Sequence, residues 1–85
     1  MKTAVVILNW NTKGFLEKFL PPLLGSIAHC DGAEVIVADN ASTDGSLELM
    51  KEKFPEVKTI AFDRNYGFTG GYNKAFKHIE AEYFV

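Results

Sequence analysis

Four short apolar runs alternate along the chain with three longer segments of helical periodicity. Ala4 to Leu8 is unbroken and rich in β-branched residues, the pattern of a strand buried on both faces. Val35-Ile36-Val37-Ala38 repeats it. Val57 to Phe62 is weaker, with Lys58 and Thr59 among its apolar positions, and Tyr83-Phe84-Val85 opens a fourth run.

After Thr12, which suits an N-cap, Phe15, Phe19, Leu23 and Ile27 recur every four residues, and Leu16, Leu20 and Leu24 widen the stripe. Pro21-Pro22 removes two backbone donors and predicts a kink or a restart, with Pro22 near the first position of a second piece. A second helix, capped by Ser42, Thr43 or Asp44, is expected to bury Leu47, Met50 and Phe54 and to end before Pro55. A third is expected to begin near Gly70-Gly71 and to bury Tyr72, Ala75, Phe76 and Ile79. Asp31 to Glu34 and Asp63 to Thr69 read as loops. The alternation predicts a three-layer, Rossmann-like α/β fold with a parallel sheet in the order 3-2-1-4.

Composition narrows the class. A chain of 85 residues is one small domain or part of a larger one, burying about 60–65% of its unfolded surface. With 47% hydrophobic and 24% charged residues it is globular. Nine basic against eleven acidic residues give a net charge of −2, without the basic excess of a nucleic-acid binder. Cys30 is the only cysteine, so an intrachain disulfide and a Cys-rich zinc site are excluded, and it reads as a small hydrophobe at a helix end. The first apolar run breaks at Asn9-Trp10-Asn11, too early for a secretory core, and no stretch approaches membrane-spanning length. A soluble protein of a reducing, cytoplasmic compartment is expected. His29 and His78 lack partners at metal-ligand spacing.

In open parallel sheets, ligands bind beyond the carboxyl ends of the strands. Three segments rich in short polar residues and glycine fall there: Asn9 to Thr12, Asp39 to Ser46 and Asn65 to Asn73. Asp39 can accept from a nucleobase or a ribose hydroxyl, or it can simply shape an Asx-turn. Trp10 is either a rim aromatic or a stacking wall for a planar base. Gly67, Gly70 and Gly71 fit neither a Walker loop nor a dinucleotide fingerprint. They read either as a left-handed turn or as a place where backbone N–H groups approach an anion at a helix start. Asp63-Arg64 reads as a solvated pair of little energetic weight.

Taken together, Val5 to Asn11, Val35 to Ser46 and Asn65 to Asn73 resemble the N-terminal half of a family-2 glycosyltransferase of the rhamnosyltransferase-like kind. The resemblance covers nearly the whole chain and implies a partial GT-A fold, with residues 1–85 as a single truncated subdomain for a nucleotide-sugar. It implies nucleotide contacts from Leu8, Asn9, Trp10, Asn11, Asp39, Asn40, Ser42, Asn65, Gly67, Gly70 and Asn73. Asp39 would accept from the base, Trp10 would lie beside the ring, and Arg64 would be peripheral. The donor would be a UDP- or dTDP-type sugar used in polysaccharide or cell-surface glycan synthesis. Such enzymes carry an Asp-x-Asp-like motif after the fourth strand, which binds Mg²⁺ or Mn²⁺, and a general base beyond it. The sequence stops short of both, so the resemblance implies donor binding without catalytic groups, no cofactor in this chain, and inactivity alone. In the full-length context the inner face of the membrane is a second location. Homodimerisation or other self-association through the truncated sheet region is expected. The alternative is a non-catalytic, receiver-like α/β module, against which stand Asn9 and Asn11 where acidic residues belong.

Overall fold

The computed structural model describes residues 3–79 and the backbone of residues 83–84. Val85, the last residue of the predicted fourth strand, and Met1 and Lys2 lie outside the described residues. The elements run β1 (Thr3–Asn9), α1 (Lys13–Ile27), β2 (Ala33–Asp39), α2 (Ser46–Lys53), β3 (Lys58–Ala61), α3 (Gly67–Lys77) and β4 (Tyr83–Phe84). The sheet has the order β3-β2-β1-β4, and every pairing is parallel. Val5 lies opposite Val35 and Asn9 opposite Asp39, so the two central strands end level.

Strand parity divides the core. Val35 and Val37 face α1 and α2, where they join Leu16, Leu20, Leu49, Met50 and Phe54. Ala4, Val6, Ile36 and Ala38 face the opposite layer, with Phe62, Ala75 and Ile79. The continuous apolar runs of β1 and β2 follow from this, because both faces of each strand are covered.

Several sequence expectations are corrected. α1 runs through Pro21 and Pro22 without a restart. The prolines and Glu17 and Lys18, whose carbonyls lose their helical partners, are all exposed, where solvent is available to the freed groups. The buried line of α1 is Leu16 and Leu20, whereas Phe15 and Phe19 remain 52% and 46% exposed. In α2, Leu49 is buried and Leu47 only partly. α3 starts at Gly67, about one turn before Gly70-Gly71, and its buried residues are Gly71 and Ala75; Phe76 is exposed and Tyr72 half-buried. Cys30 is exposed, not packed. Ala33 and Glu34 belong to β2.

β4 pairs with β1 only at Thr3 and Ala4. Beyond that point, among the described residues, β1 has no strand on this side. An apolar groove of ≈600 Å³ runs there between α1 and α3, walled by Val6, Ile7, Leu8, Phe15, Phe19 and Tyr72.

The division of α1 into a buried and an exposed apolar line is testable. Leu20→Ala is expected to lower the unfolding free energy by about 2–5 kcal/mol, and Phe15→Ala by about 1 kcal/mol or less. Urea denaturation followed by circular dichroism measures both. Equal losses would mean that Phe15 belongs to the core.

Candidate functional site

The strand ladder continues past β1 and β2: the Asn40 N–H donates to the Asn9 carbonyl at 2.8 Å and the Phe62 N–H to the Asp39 carbonyl at 2.9 Å. This holds Asp39 and Asn40 in extended alternation, and their side chains leave opposite faces of the sheet.

Asp39 faces the α1/α2 layer and is 1% exposed. Its Oδ1 accepts from Asn9 Nδ2 at 2.7 Å and its Oδ2 from the Ser42 N–H at 2.9 Å. Asn9, itself buried, also donates to Ser42 Oγ and accepts from the Thr12 hydroxyl. Asn11, at φ 51°, exchanges hydrogen bonds with Thr43, and its N–H donates to Ser42 Oγ. The β1–α1 and β2–α2 loops are thereby one body. No buried side-chain nitrogen or oxygen among the described residues lacks a partner, as burial of such groups requires.

Asp44 extends the body to two helices. Its Oδ2 accepts from the Lys13 N–H, the first of α1, and its Oδ1 from the Ser46 N–H, the first of α2. Thr12, expected to cap α1, spends its hydroxyl on Asn9, so the cap comes from across the fold. The Ser46 hydroxyl is the main cause holding the Asp44 carboxyl below the usual carboxylate range; burial opposes it, and the Lys13 and Ser46 amides add to it.

Asn40 faces the α3 layer. Its Oδ1 accepts from the Tyr66 N–H at 2.9 Å, and its Nδ2 donates to the Gly67 carbonyl at 3.0 Å. The Gly67 N–H donates to Asn65 Oδ1 at 2.7 Å, which caps the helix and explains its early start. Gly67 holds φ 75°, a left-handed value suited to glycine. Gly71 serves closeness instead: a Cβ there would lie 2.8 Å from Leu8 Cδ1 and 2.9 Å from Asn40 Nδ2. Asp63 and Arg64 do not form a simple solvated pair. The Tyr66 hydroxyl donates to Asp63, and Arg64 and Lys74 lie over the Tyr66 ring, 4.8 and 4.7 Å from its centroid. The Tyr66 hydroxyl is the chief cause drawing the Asp63 carboxyl below its usual range; burial opposes it, and Lys74 and Arg64 assist.

A cleft of ≈290 Å³ opens where these loops meet, lined by Leu8, Trp10, Thr12, Asn40, Asn65, Gly67 and Phe68. Five of the residues singled out from sequence are in its wall: Leu8, Trp10, Asn40, Asn65 and Gly67. Asn9, Asn11, Asp39 and Ser42 form the network behind it. Gly70 and Asn73 lie further along α3 and are not in the wall. Thr12 and Phe68 also line it; both lie in the segments expected at this edge, although neither was singled out as a contact. Phe68 is 75% exposed at a helix start, beside Gly67, and its ring meets Tyr72 edge-on at 5.0 Å.

Residues 4–85 match the family described as Glycosyl transferase family 2. The chain belongs to this family. It is 29% identical, over 88% of its length, to an N-acetylglucosaminyl-diphospho-decaprenol L-rhamnosyltransferase of Mycobacterium tuberculosis, spanning 24% of that protein. It is 30% identical over its whole length to a poly(ribitol-phosphate) beta-glucosyltransferase of Bacillus spizizenii, spanning 14% of it. Among solved structures, S. aureus TarS 1-349 superposes with a TM-score of 0.68 at 32% identity, covering all of this chain and 27% of that one. The mannosyltransferase PcManGT of Pyrobaculum calidifontis, in complex with GDP-Man and Mn²⁺, superposes at 0.76 with 24% identity, over 93% of this chain and 24% of that one; at that identity it attests the shared GT-A fold. The chain thus spans about a quarter or less of these relatives. Among its described residues no three His, Cys, Asp or Glu side chains gather as a cation requires. No helix among them is long and apolar enough to cross a membrane.

The shared cap gives this family-2 chain a pH dependence. Because the folded Asp44 carboxyl titrates below the unfolded one, its stabilisation is complete above about pH 4 and fades as pH falls through the folded value. Asp44→Ala is expected to lower stability by about 1 kcal/mol at neutral pH as the shared cap is lost, and the difference from wild type to narrow in acid. Urea midpoints along a pH series measure this; a gap that does not change with pH would exclude the carboxylate charge as a contributor.

Proposed function

We propose that the chain is the donor-nucleotide-binding part of a glycosyltransferase that moves a sugar from a nucleoside diphosphate to an acceptor in polysaccharide or cell-surface glycan synthesis. The cleft beyond the strand ends carries this reading. Exposed aromatics come to it from the β1–α1 loop, Trp10, and from the first turn of α3, Phe68, with amides from Asn40 and Asn65 beside the start of α3. TarS, 32% identical or nearly so, has been solved with UDP and with UDP-GlcNAc. The relatives' names place them in rhamnosyl and glucosyl transfer to lipid-linked and poly(ribitol-phosphate) acceptors.

In this reading a UDP- or dTDP-type base lies against Trp10, and the Asn65–Asn73 segment borders the ribose and diphosphate. Asp39 accepts from the base. Asn9 and Ser42 use two of its roughly four lone-pair positions, which leaves acceptor capacity for the base. The divalent cation, the catalytic carboxylates and the general base belong to the rest of the enzyme. Without a metal-bridged diphosphate, affinity is weak, about −4 to −6 kcal/mol. The exposed, single Cys30 fits a reducing, cytoplasmic location.

We also propose that the 85-residue chain self-associates. The β1 edge, unpaired beyond Ala4 among the described residues, and the groove with Phe15 and Phe19 in its wall support this.

Trp10 is the sole tryptophan, so its fluorescence reports the cleft directly. UDP and dTDP are expected to quench it, and Asp39→Ala to abolish binding by calorimetry. Unchanged affinity in that variant would overturn the role of Asp39, and no response to either nucleotide would overturn the function. Light scattering is expected to show a mass that rises with concentration; a constant monomer mass at high concentration would overturn self-association.

A further inference from the structure

We infer that Asn40 is a positioning residue for the donor site: its side-chain amide acts as one rung of a strand ladder, setting the height of the β3–α3 loop and hence the shape of the cleft. The inference rests on the proposed nucleotide-binding reading for its consequence, but not for its geometry.

Asn40 is buried, and both ends of its amide are used. The carbonyl oxygen takes the Tyr66 N–H, and the NH₂ group gives to the Gly67 carbonyl. This donor–acceptor pair matches the backbone groups on either side of the point where the chain turns into α3. Of the twenty side chains only Asn and Gln carry both an amide donor and an acceptor, and Gln is one methylene too long for a site this tight. The same amide is fenced from below, because Gly71 leaves no room for a Cβ beside Nδ2 or the Leu8 methyls. Asn40 and Leu8 are themselves cleft wall, as are the neighbours Asn65, Gly67 and Phe68. A shift of the Asn40 amide therefore moves the wall on the side opposite Trp10's loop. Asp39, one residue earlier, has no such reach, since it points into the other layer. Two consecutive residues thus divide the work, Asp39 holding the first two loops and Asn40 the third.

The diagnostic variant is Asn40→Asp. It preserves shape and the acceptor, but sets a carboxylate oxygen against the Gly67 carbonyl. When protonated, the carboxyl again offers one donor and one acceptor. At about pH 7.5 the variant is expected to bind UDP about tenfold more weakly than wild type. The ratio should return toward one as pH falls toward about 4.5, since burial raises the new carboxyl's titration. Wild type measured at the same pH values removes the contributions of Asp39 behind the wall and of Asp63, Arg64 and Lys74 around Tyr66. Cooperative thermal unfolding of both proteins at both pH values shows that the fold persists.

The Tyr66 and Gly67 amide resonances give a readout that needs no nucleotide. In Asn40→Asp they are expected to move at neutral pH and to recover in acid, while resonances of the Asn9–Ser42 network stay in place. If they do not move, the inference is overturned whether or not UDP binds. If they move and recover but wild type binds neither UDP nor dTDP, the positioning stands and the nucleotide reading falls. If affinity drops and does not recover in acid, the amide donor is not what matters, and the inference fails. Should Asn40→Asp not fold, Gly71→Ala presses on the same amide from below and is expected to shift the same two resonances and to weaken UDP binding; unmoved resonances there would also overturn it.

Discussion

The structure hangs on the point where β2 stops. The ladder runs one residue beyond the strand, through the Asn40 N–H and the Asp39 carbonyl, so two polar side chains are delivered at fixed height to opposite faces of the sheet. One is a carboxylate with acceptors only, and it collects donors from Asn9 and Ser42. The other is an amide, and it pairs with a donor and an acceptor of the backbone. Loops that would otherwise be joined only by chain connectivity become parts of the sheet's end. An unpartnered polar group at this depth would cost about 1–3 kcal/mol, so the arrangement tolerates few partial versions of itself.

The hydrophobic layers make that precision possible. Two apolar clusters clamp β1 and β2 from both sides, and the strands are locked in register along seven pairs. A one-residue slip would exchange the faces of Asp39 and Asn40 along with every core residue. Gly71 completes the fit by letting α3 settle against Leu8 and Asn40. The layers are thin in a chain of this size, and three exposed aromatics of α1 and α3 border openings: Phe15 and Phe19 the groove, Phe68 the cleft.

What could be read from the residues was what depends on periodicity. The buried strands show as runs apolar at both parities, which is why the α/β class and the position of the polar loops at one sheet edge were legible. What could not be read depended on partners distant in sequence. α1 passes through Pro21-Pro22 where solvent is available to the carbonyls the prolines abandon, and exposure is not written locally. Thr12 has the chemistry of a cap, yet Asp44, 31 residues from Lys13, supplies it. α3 begins at Gly67 because Asn65 and Asn40 hold its first turn, so the glycine pair that looked like its start is a packing surface. Leu16 rather than Phe15 is buried because both series satisfy the same spacing and only the sheet beneath chooses between them. Asp39 looked like a ligand to a base; its neighbours in space show how much of its capacity goes to the loops.

The carboxylate shared by α1 and α2 has an electrostatic consequence for the rim as a whole. Three helix amino termini converge at this end of the sheet, each the positive pole of a row of aligned peptide dipoles. Asp44 gives two of those poles a common counter-charge, reinforced at α2 by Glu48 in its first turn. The third, at α3, meets the neutral amide oxygens of Asn65 and Asn40 and has no acidic residue in its first turn. The rim is therefore polarised rather than uniformly positive: two of its poles share a carboxylate, and the third, beside the cleft through Gly67 and Phe68, is met by neutral amides.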